Sequence, residues 1–405
     1  MSHAAASSHP APAWLAARLR QAGGAVPFRT YMQWALHDPE HGAYGSGRLQ
    51  VGPRGDFATS PSLGPDFAAL LAPQIAQWLQ LQPADQPLAL LEAGPGEGDL
   101  ALHLAQELAA GWPELVDRTT LVLIEPNGGM AERQRRRLRD CPLPCCWKSL
   151  EQLAAQPLVG LLLAHEVLDA LAVERITWDG ALWRRQQVVL HEVGDAQPSL
   201  RLEPGEPLEP QELAQLEPFG LLQPGLQRAA GWSTELHPEQ GPWLQAAAAA
   251  LASGVLLVID YAHEAWRYYA PQRSNGTLMA YRQQQASDDP LQDPGHWDLT
   301  AHLCLESLEQ AAAAAGWHPL GQRRQGEALL ALGLAQRLHG LQQQSGVGLD
   351  ALLARREALL RLVDPHTLGD FRWVAFSREP STCSLALGNE PGDTLPLFLH
   401  DPPLG

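Results

Sequence analysis

Residues 88–98, LALLEAGPGEG, decide how the chain is read. Leu88 to Leu91 form an unbroken apolar run of the kind found in strands covered on both faces. Glycines then take alternate positions, Gly94, Gly96 and Gly98. Such spacing marks a backbone that turns sharply and lets a ligand approach, because no Cβ stands in the way. The following DLALHLAQELAA puts Leu100, Leu104 and Leu108 on one face, so a helix is predicted there. A nucleotide-like ligand would fit beside such a turn. Glycine also serves tight strand-to-helix turns in many folds, so the turn alone leaves a purely structural role open.

The spacing separates the candidate ligands. A dinucleotide fingerprint reads G-x-G-x-x-G, whereas this chain reads G-x-G-x-G. That disfavours a nicotinamide-dependent oxidoreductase. The next apolar run, TTLVLIE, ends in Glu125, where a carboxylate would accept hydrogen bonds from two ribose hydroxyls. The glycine spacing, preceded by the acidic Glu92, resembles the first motif of class I S-adenosylmethionine-dependent methyltransferases.

Composition narrows the partners. The chain has 405 residues, enough for two to three structural units or one domain with an elaborate insertion. Its formal net charge of -17 argues against binding nucleic-acid phosphates, which requires clustered cations. The one dense basic run, Arg133 to Arg139, reads as the solvated face of a helix with its cations near the C-terminal end. Cys141, Cys145, Cys146, Cys304 and Cys383 are odd in number and lack paired C-x-x-C spacing, so reduced thiols are expected, and no metal. No apolar stretch approaches the ~20 residues that span a bilayer. The first 37 residues carry no Asp or Glu. AWLAARLRQAG nevertheless has the spacing of an ordinary amphipathic helix running straight into PFRTYM, so a cytoplasmic location is expected, the mitochondrial matrix being the alternative if the N-terminal tail is a transit peptide.

Strand patterns near 119–125, 158–164 and 254–260 alternate with helical ones, which predicts an α/β fold with a mostly parallel sheet and helices on both faces. Ligands of such sheets bind beyond the carboxyl ends of the strands. The expected organisation is N-terminal helices with a Gly- and Pro-rich cofactor-closing loop over 1–87, a core formed by 88–171 and 244–405, and an inserted substrate or cap element over 172–243. The insert opens with the Asp179-Gly180 signal of a tight hairpin.

LVGLLLAHEVLDAL sets His165, Glu166 and Asp169 just after an apolar run. Glu166 and Asp169 are three apart, so on a helical turn their carboxylates would face one way. Acids favourably placed at a helix start are the structural alternative. Asp260 and Tyr261 end another apolar run; a strand-end cap is as good a reading of them as a pocket role.

Taken in order, PFRTYMQWALHDPEHGAYG, GDFATSP, LLEAGPGEGDL, LVLIEP, HEVLDAL, GVLLVIDYA, NGTLMAY, PGHWDLTAH and LGDFRWVAFS resemble the MidA-like family of S-adenosylmethionine-dependent methyltransferases over about 14–378. Mitochondrial members of that family are arginine methyltransferases that assist respiratory complex I assembly. The resemblance implies a class I methyltransferase (Rossmann-like) fold, S-adenosyl-L-methionine as cofactor, and a protein substrate carrying an arginine, with an NADH-dehydrogenase-like subunit as the expected partner. A homodimer stays open. The resemblance puts Gly94, Gly96 and Gly98 around the amino-acid part and ribose of the cofactor, with Glu92 also among the cofactor-binding residues, Glu125 at the ribose hydroxyls, and Asp56, Thr59 and Ser60 in a loop closing near it. It puts Glu166 and Asp169 at the acceptor with His165 beside them, and makes Asp260, Tyr261 and Glu235 candidates for holding substrate.

The residue types suit that chemistry. A sulfonium methyl is already activated, so the enzyme aligns an acceptor nitrogen and excludes water. Carboxylates pairing with a guanidinium orient it and compensate its charge as the proton leaves. The chain departs from the family pattern in having His165 where Asn is usual and Ser62 where Glu follows TSP. An assembly or binding factor without turnover is therefore the competing reading.

Overall fold

A computed structural model describes residues 8–49, 52, 55, 59–194, 196–223, 228–343, 348–378 and 395–403. The chain divides into two compact units. One gathers Val51–Leu168, Gly241–Ala262 and Leu308–Gly405; the other gathers Met1–Gln50, Asp169–Gln240 and His263–Ser307.

The first unit is built on a seven-stranded sheet. One of its inner strands is Leu88–Ala93, every residue of which is buried. On one side it pairs in parallel with Thr119–Ile124, and that strand with Cys145–Trp147. On the other side it pairs with Leu158–His165, and that strand with Leu251–Asp260, again in parallel. Arg372–Ser377 then runs antiparallel, and His318–Arg324 pairs antiparallel with it at the edge. Six strands thus point one way. The chain leaves Leu88–Ala93 to one side and later returns to the other, which leaves a crevice at the carboxyl ends of the neighbours, the usual ligand position in open α/β sheets.

Sequence pattern explains the layers. Leu100, Leu104 and Leu108 are all buried on helix Asp99–Gly111, and Asp66–Gln80 buries Phe67, Leu70, Leu71, Ile75, Trp78 and Leu79. Both belong to a core that also takes Leu90, Leu121, Leu161, Leu257 and Trp373 from the sheet. Asp66 is itself buried, and its carboxylate receives Arg337 and Arg355 from two later helices. Burying that carboxylate without cations would be costly, so the pair of arginines accompanies it.

The second unit is antiparallel throughout its two larger sheets. The six-stranded sheet orders His9–Pro10, Ser199–Pro207, Trp183–His191, Glu174–Trp178 and Ser233–Leu236, with Ala25–Pro27 also pairing to Trp183–His191. A smaller sheet joins Gln285–Ser287, Met279–Arg282 and Asp298–Thr300. Helices Ala13–Gln21 and Phe28–His37 supply Leu15, Leu19, Phe28, Tyr31 and Met32 to its core. These helices are two and not one. Gly23 and Gly24 adopt left-handed conformations between them, and Ala25–Pro27 pairs into the sheet. The expected insert over 172–243 forms only the middle of this unit, because N-terminal and later segments complete its sheets. The Asp179-Gly180 hairpin is present as a four-residue connection, held by Asp179 Oδ1 accepting from Ala181 N and Leu182 N, each at 2.8 Å.

Candidate functional site

All three glycines of the turn have positive φ: 59° at Gly94, 53° at Gly96 and 86° at Gly98. An L side chain there would cost roughly 1–2 kcal/mol at each position. The turn is anchored by Gly94 N–H donating to Ile124 O at 3.1 Å and Gly98 N–H to Pro95 O at 2.8 Å. A Cβ on Gly94 would come within 3.0 Å of Val167 Cγ2. The turn and the segment after Leu158–His165 therefore lie against each other.

Two acids frame the turn. Glu92 ends buried in the inner strand Leu88–Ala93, and its Oε2 has no hydrogen-bond partner. Burial, reinforced by the nearby Asp99 charge, pushes its carboxyl up to about 8. Glu125 follows the neighbouring strand and is half-buried. Its Oε1 accepts Asn127 N–H at 2.8 Å and its Oε2 accepts Gln134 Nε2 at 3.0 Å. A carboxylate has about four acceptor positions, so two remain for a ligand. Burial raises the Glu125 carboxyl above its usual range, opposed by those hydrogen bonds.

The basic run after Glu125 lies on helix Gly128–Arg137. Arg133 bonds Glu97 at 3.1 Å and Arg137 bonds Asp99 at 2.6 Å, so two of its cations tie this helix to the glycine turn. Asn127 caps the helix by accepting Met130 N–H at 2.9 Å.

His165, Glu166 and Val167 do not begin a helix, contrary to the sequence expectation. Glu166 is left-handed at φ 52°, and its N–H donates to Ile259 O at 2.9 Å. Leu168 N–H donates to Asp260 Oδ2 at 3.0 Å, and Asp260 Oδ1 accepts Tyr261 N–H at 2.8 Å. Bonds to the next strand end replace helical ones, so the spacing of three between Glu166 and Asp169 no longer implies a shared helical face. A non-glycine residue held in this region carries strain of the order of 1–3 kcal/mol, and such residues cluster at functional sites. Glu166 Oε1 lies 3.4 Å from His165 Nδ1.

His165 itself is packed. Its ring centre lies 5.4 Å from that of Phe67 and 6.2 Å from that of Phe371. Burial pushes it down to about 3, so it is neutral at physiological pH. Tyr261 stacks edge-on against Phe371 with centres 4.0 Å apart. Of the expected closing loop, Asp56 lies outside the described residues. Thr59 N–H donates to Ser62 Oγ at 2.9 Å, and buried Ser60 accepts Gln325 Nε2 at 3.0 Å. Cys383 lies outside the described residues as well.

Asp169 and Glu235 belong to the antiparallel unit. Asp169 is buried, and its carbonyl accepts Ala301 N–H at 2.9 Å. Glu235 is fully buried. Its Oε2 accepts Thr277 N–H at 2.9 Å, the Thr277 hydroxyl at 3.1 Å and the Tyr268 hydroxyl at 3.3 Å. Its Oε1 faces Gly276, where a Cβ would come to 2.0 Å.

Comparison with known proteins gives this geometry its chemistry. The family described as "Putative S-adenosyl-L-methionine-dependent methyltransferase" matches residues 70–323. The chain belongs to that family. It is 28% identical to a Burkholderia thailandensis protein whose crystal structure holds S-adenosyl-homocysteine, with a TM-score of 0.79 over 96% of this chain and 95% of that one. It is 27% identical to the Drosophila melanogaster "Protein arginine methyltransferase NDUFAF7 homolog, mitochondrial", over 87% of this chain and 81% of the relative. The Danio rerio "Protein arginine methyltransferase NDUFAF7, mitochondrial" is 26% identical over 72% and 69%.

S-adenosyl-L-methionine is thus the cofactor of an S-adenosylmethionine-dependent methyltransferase, and the residues present fit it. The turn exposes backbone where side chains would intrude, Glu92 offers a buried unpartnered oxygen to a cationic amino group, and Glu125 retains acceptor positions for a diol. Gln134 and Asn127 join the site unannounced by any motif, although Met130, Ala131 and Gln134 form the buried side of an otherwise arginine-rich helix. A lone uncharged amide on that apolar side was the available signal.

Proposed function

We propose that this chain transfers the methyl group of S-adenosylmethionine to an arginine of a protein, a subunit of an NADH-dehydrogenase-like assembly. The names of the Drosophila and Danio relatives support the arginine acceptor. The observation that supports the reading is that a Cβ on Gly94 would meet Val167 Cγ2 at 3.0 Å, Val167 being the neighbour of the strained Glu166. The strand order of the first unit further supports the class I (Rossmann-like) assignment.

The cofactor supplies a methyl group already activated on a sulfonium. Glu92 would hold its amino group, Glu125 its ribose, and the glycine backbone its flank. Glu166 would bind the guanidinium through charge-assisted hydrogen bonds and compensate the cation as its proton leaves. Asp169 and Glu235 are separate acceptor candidates of the other unit, each to be tested by its own variant. Asp260 takes the role of a staple for the Glu166 loop, its carboxylate oriented by the Tyr261 N–H. His165, buried and neutral, packs behind it. Thr59 and Ser60 are proposed to shape the loop near the cofactor.

Glu166→Gln is expected to bind S-adenosylhomocysteine as the wild type does while losing methyl transfer by roughly a hundredfold or more, the scale of removing one charge-stabilising group. Full activity in a radiolabel assay would remove Glu166 from the mechanism. Mass spectrometry of NADH-dehydrogenase core subunits with and without the gene would identify the methylarginine. An assembly factor without turnover is the second reading, favoured by His165 in place of the usual Asn. It holds if the cofactor binds and no labelled methyl reaches protein. The mitochondrial relatives support the matrix alternative for localisation.

A further inference from the structure

Gln134 is completely buried on a helix whose other polar residues are charged. Its Nε2 donates to Gly96 O at 2.8 Å and to Glu125 Oε2 at 3.0 Å, while its Oε1 accepts Trp147 Nε1–H at 2.9 Å. The amide orientation is fixed by these partners. An indole N–H only donates, and a carbonyl and a carboxylate only accept, so the reversed amide would lose all three bonds. One side chain therefore joins the middle of the glycine turn, the acid after the second strand and the edge strand Cys145–Trp147.

We propose that Gln134 is a positioning residue for the methyl donor: it locks the Glu125 carboxylate against the glycine turn so that its remaining acceptor positions meet the ribose hydroxyls. The inference rests on Glu125 as the ribose acceptor. A carboxylate that lost the Gln134 bond could rotate about its terminal torsion, which is soft, and would keep only the Asn127 N–H. Gly96 O would be left without its donor at the same time. Gln134 would thus act on the hydroxyl contacts in particular, as well as on the turn.

Calorimetry with S-adenosylhomocysteine and with its 2′-deoxy analogue tests this on the full-length protein. Wild type is expected to prefer the hydroxylated ligand by about tenfold, the scale of a charge-assisted hydrogen bond. Gln134→Met, similar in size and without the amide, is expected to weaken S-adenosylhomocysteine by about tenfold and to shrink the preference to about threefold or less. Equal weakening of both ligands, or no weakening, overturns the proposal, since a merely structural role leaves the preference intact. Should Gln134→Met fail to fold, Trp147→Phe removes the indole N–H that fixes the amide, together with part of the ring that packs against the core and faces Arg135. A reduced preference there supports the proposal, and an unchanged one overturns it. Wild type without a preference, or Glu125→Ala with undiminished affinity, shows instead that the ribose reading has failed.

Discussion

Glu92 and Glu235 are both buried glutamates in strands, one in the parallel sheet and one in the antiparallel unit, and they differ in how many donors the chain brings to them. Glu235 gives one oxygen to three donors from Tyr268 and Thr277. Each acid has one oxygen without a donor, but Glu92 lacks the three-donor set of Glu235 and sits two residues before the first left-handed glycine. Removing a carboxylate from water without donors is costly. Glu235 has donors gathered on one oxygen, whereas no donor reaches Glu92 Oε2, the oxygen proposed above to meet the cofactor.

The largest effect that sharpens this contrast concerns Glu92 and pH. Its carboxyl stands at about 8 against an ordinary value of 4.5, so the folded state holds a proton that the unfolded chain releases. Stability from this group is complete below about 4.5 and declines as pH rises to about 8, by roughly 1.4 kcal/mol for each pH unit between the two values. Urea unfolding of the cofactor-free protein between pH 5 and 8.5 should show this decline, and Glu92→Gln should flatten it. Equal slopes in the two proteins would show that Glu92 is compensated after all. His165 and His302, both pushed down to about 3 by burial, act with the opposite sign and lower stability as pH falls below 6.5.

Next in size is Glu235→Leu, which strands the Thr277 and Tyr268 donors. A loss of about 3 kcal/mol is expected, the upper range for leaving buried donors unsatisfied. A midpoint close to wild type would break the contrast by showing that Glu235 is as poorly compensated as Glu92. The smallest change is Arg133→Ala. Its pair with Glu97 is about a third exposed on each side, so a loss of at most about 1 kcal/mol is expected, detectable as a lower melting midpoint that vanishes in high salt.

The parallel sheet was legible in the sequence because its signals are local. The apolar runs at 88–91, 119–124 and 158–164 each became a strand, and the leucines at 100, 104 and 108 became the inner face of a helix. The Glu166 turn was not legible. HEVLDAL carries a helix-like pattern, and only the bonds from Ile259 O and Asp260, about 90 residues further on, pull it away from helical geometry. Gln134 was missed for a related reason: its value lies in joining Gly96, Glu125 and Trp147, and nothing within its own helix announces those partners. The break between the two N-terminal helices is not legible, because pairing of Ala25–Pro27 into a sheet outweighs the continuous amphipathic pattern.

The crossover at Leu88–Ala93 sorts the site residues along the chain. Glu92, the three glycines, Glu125, Gln134 and Trp147 all lie in one stretch of chain on one side of that strand, whereas Glu166, Asp169, Glu235 and Asp260 are dispersed through later sequence. On the proposed roles, changes in the later segments would alter the acceptor contacts and leave the donor residues in place. The donor half is thus a unit separable in sequence from the residues that would choose the acceptor.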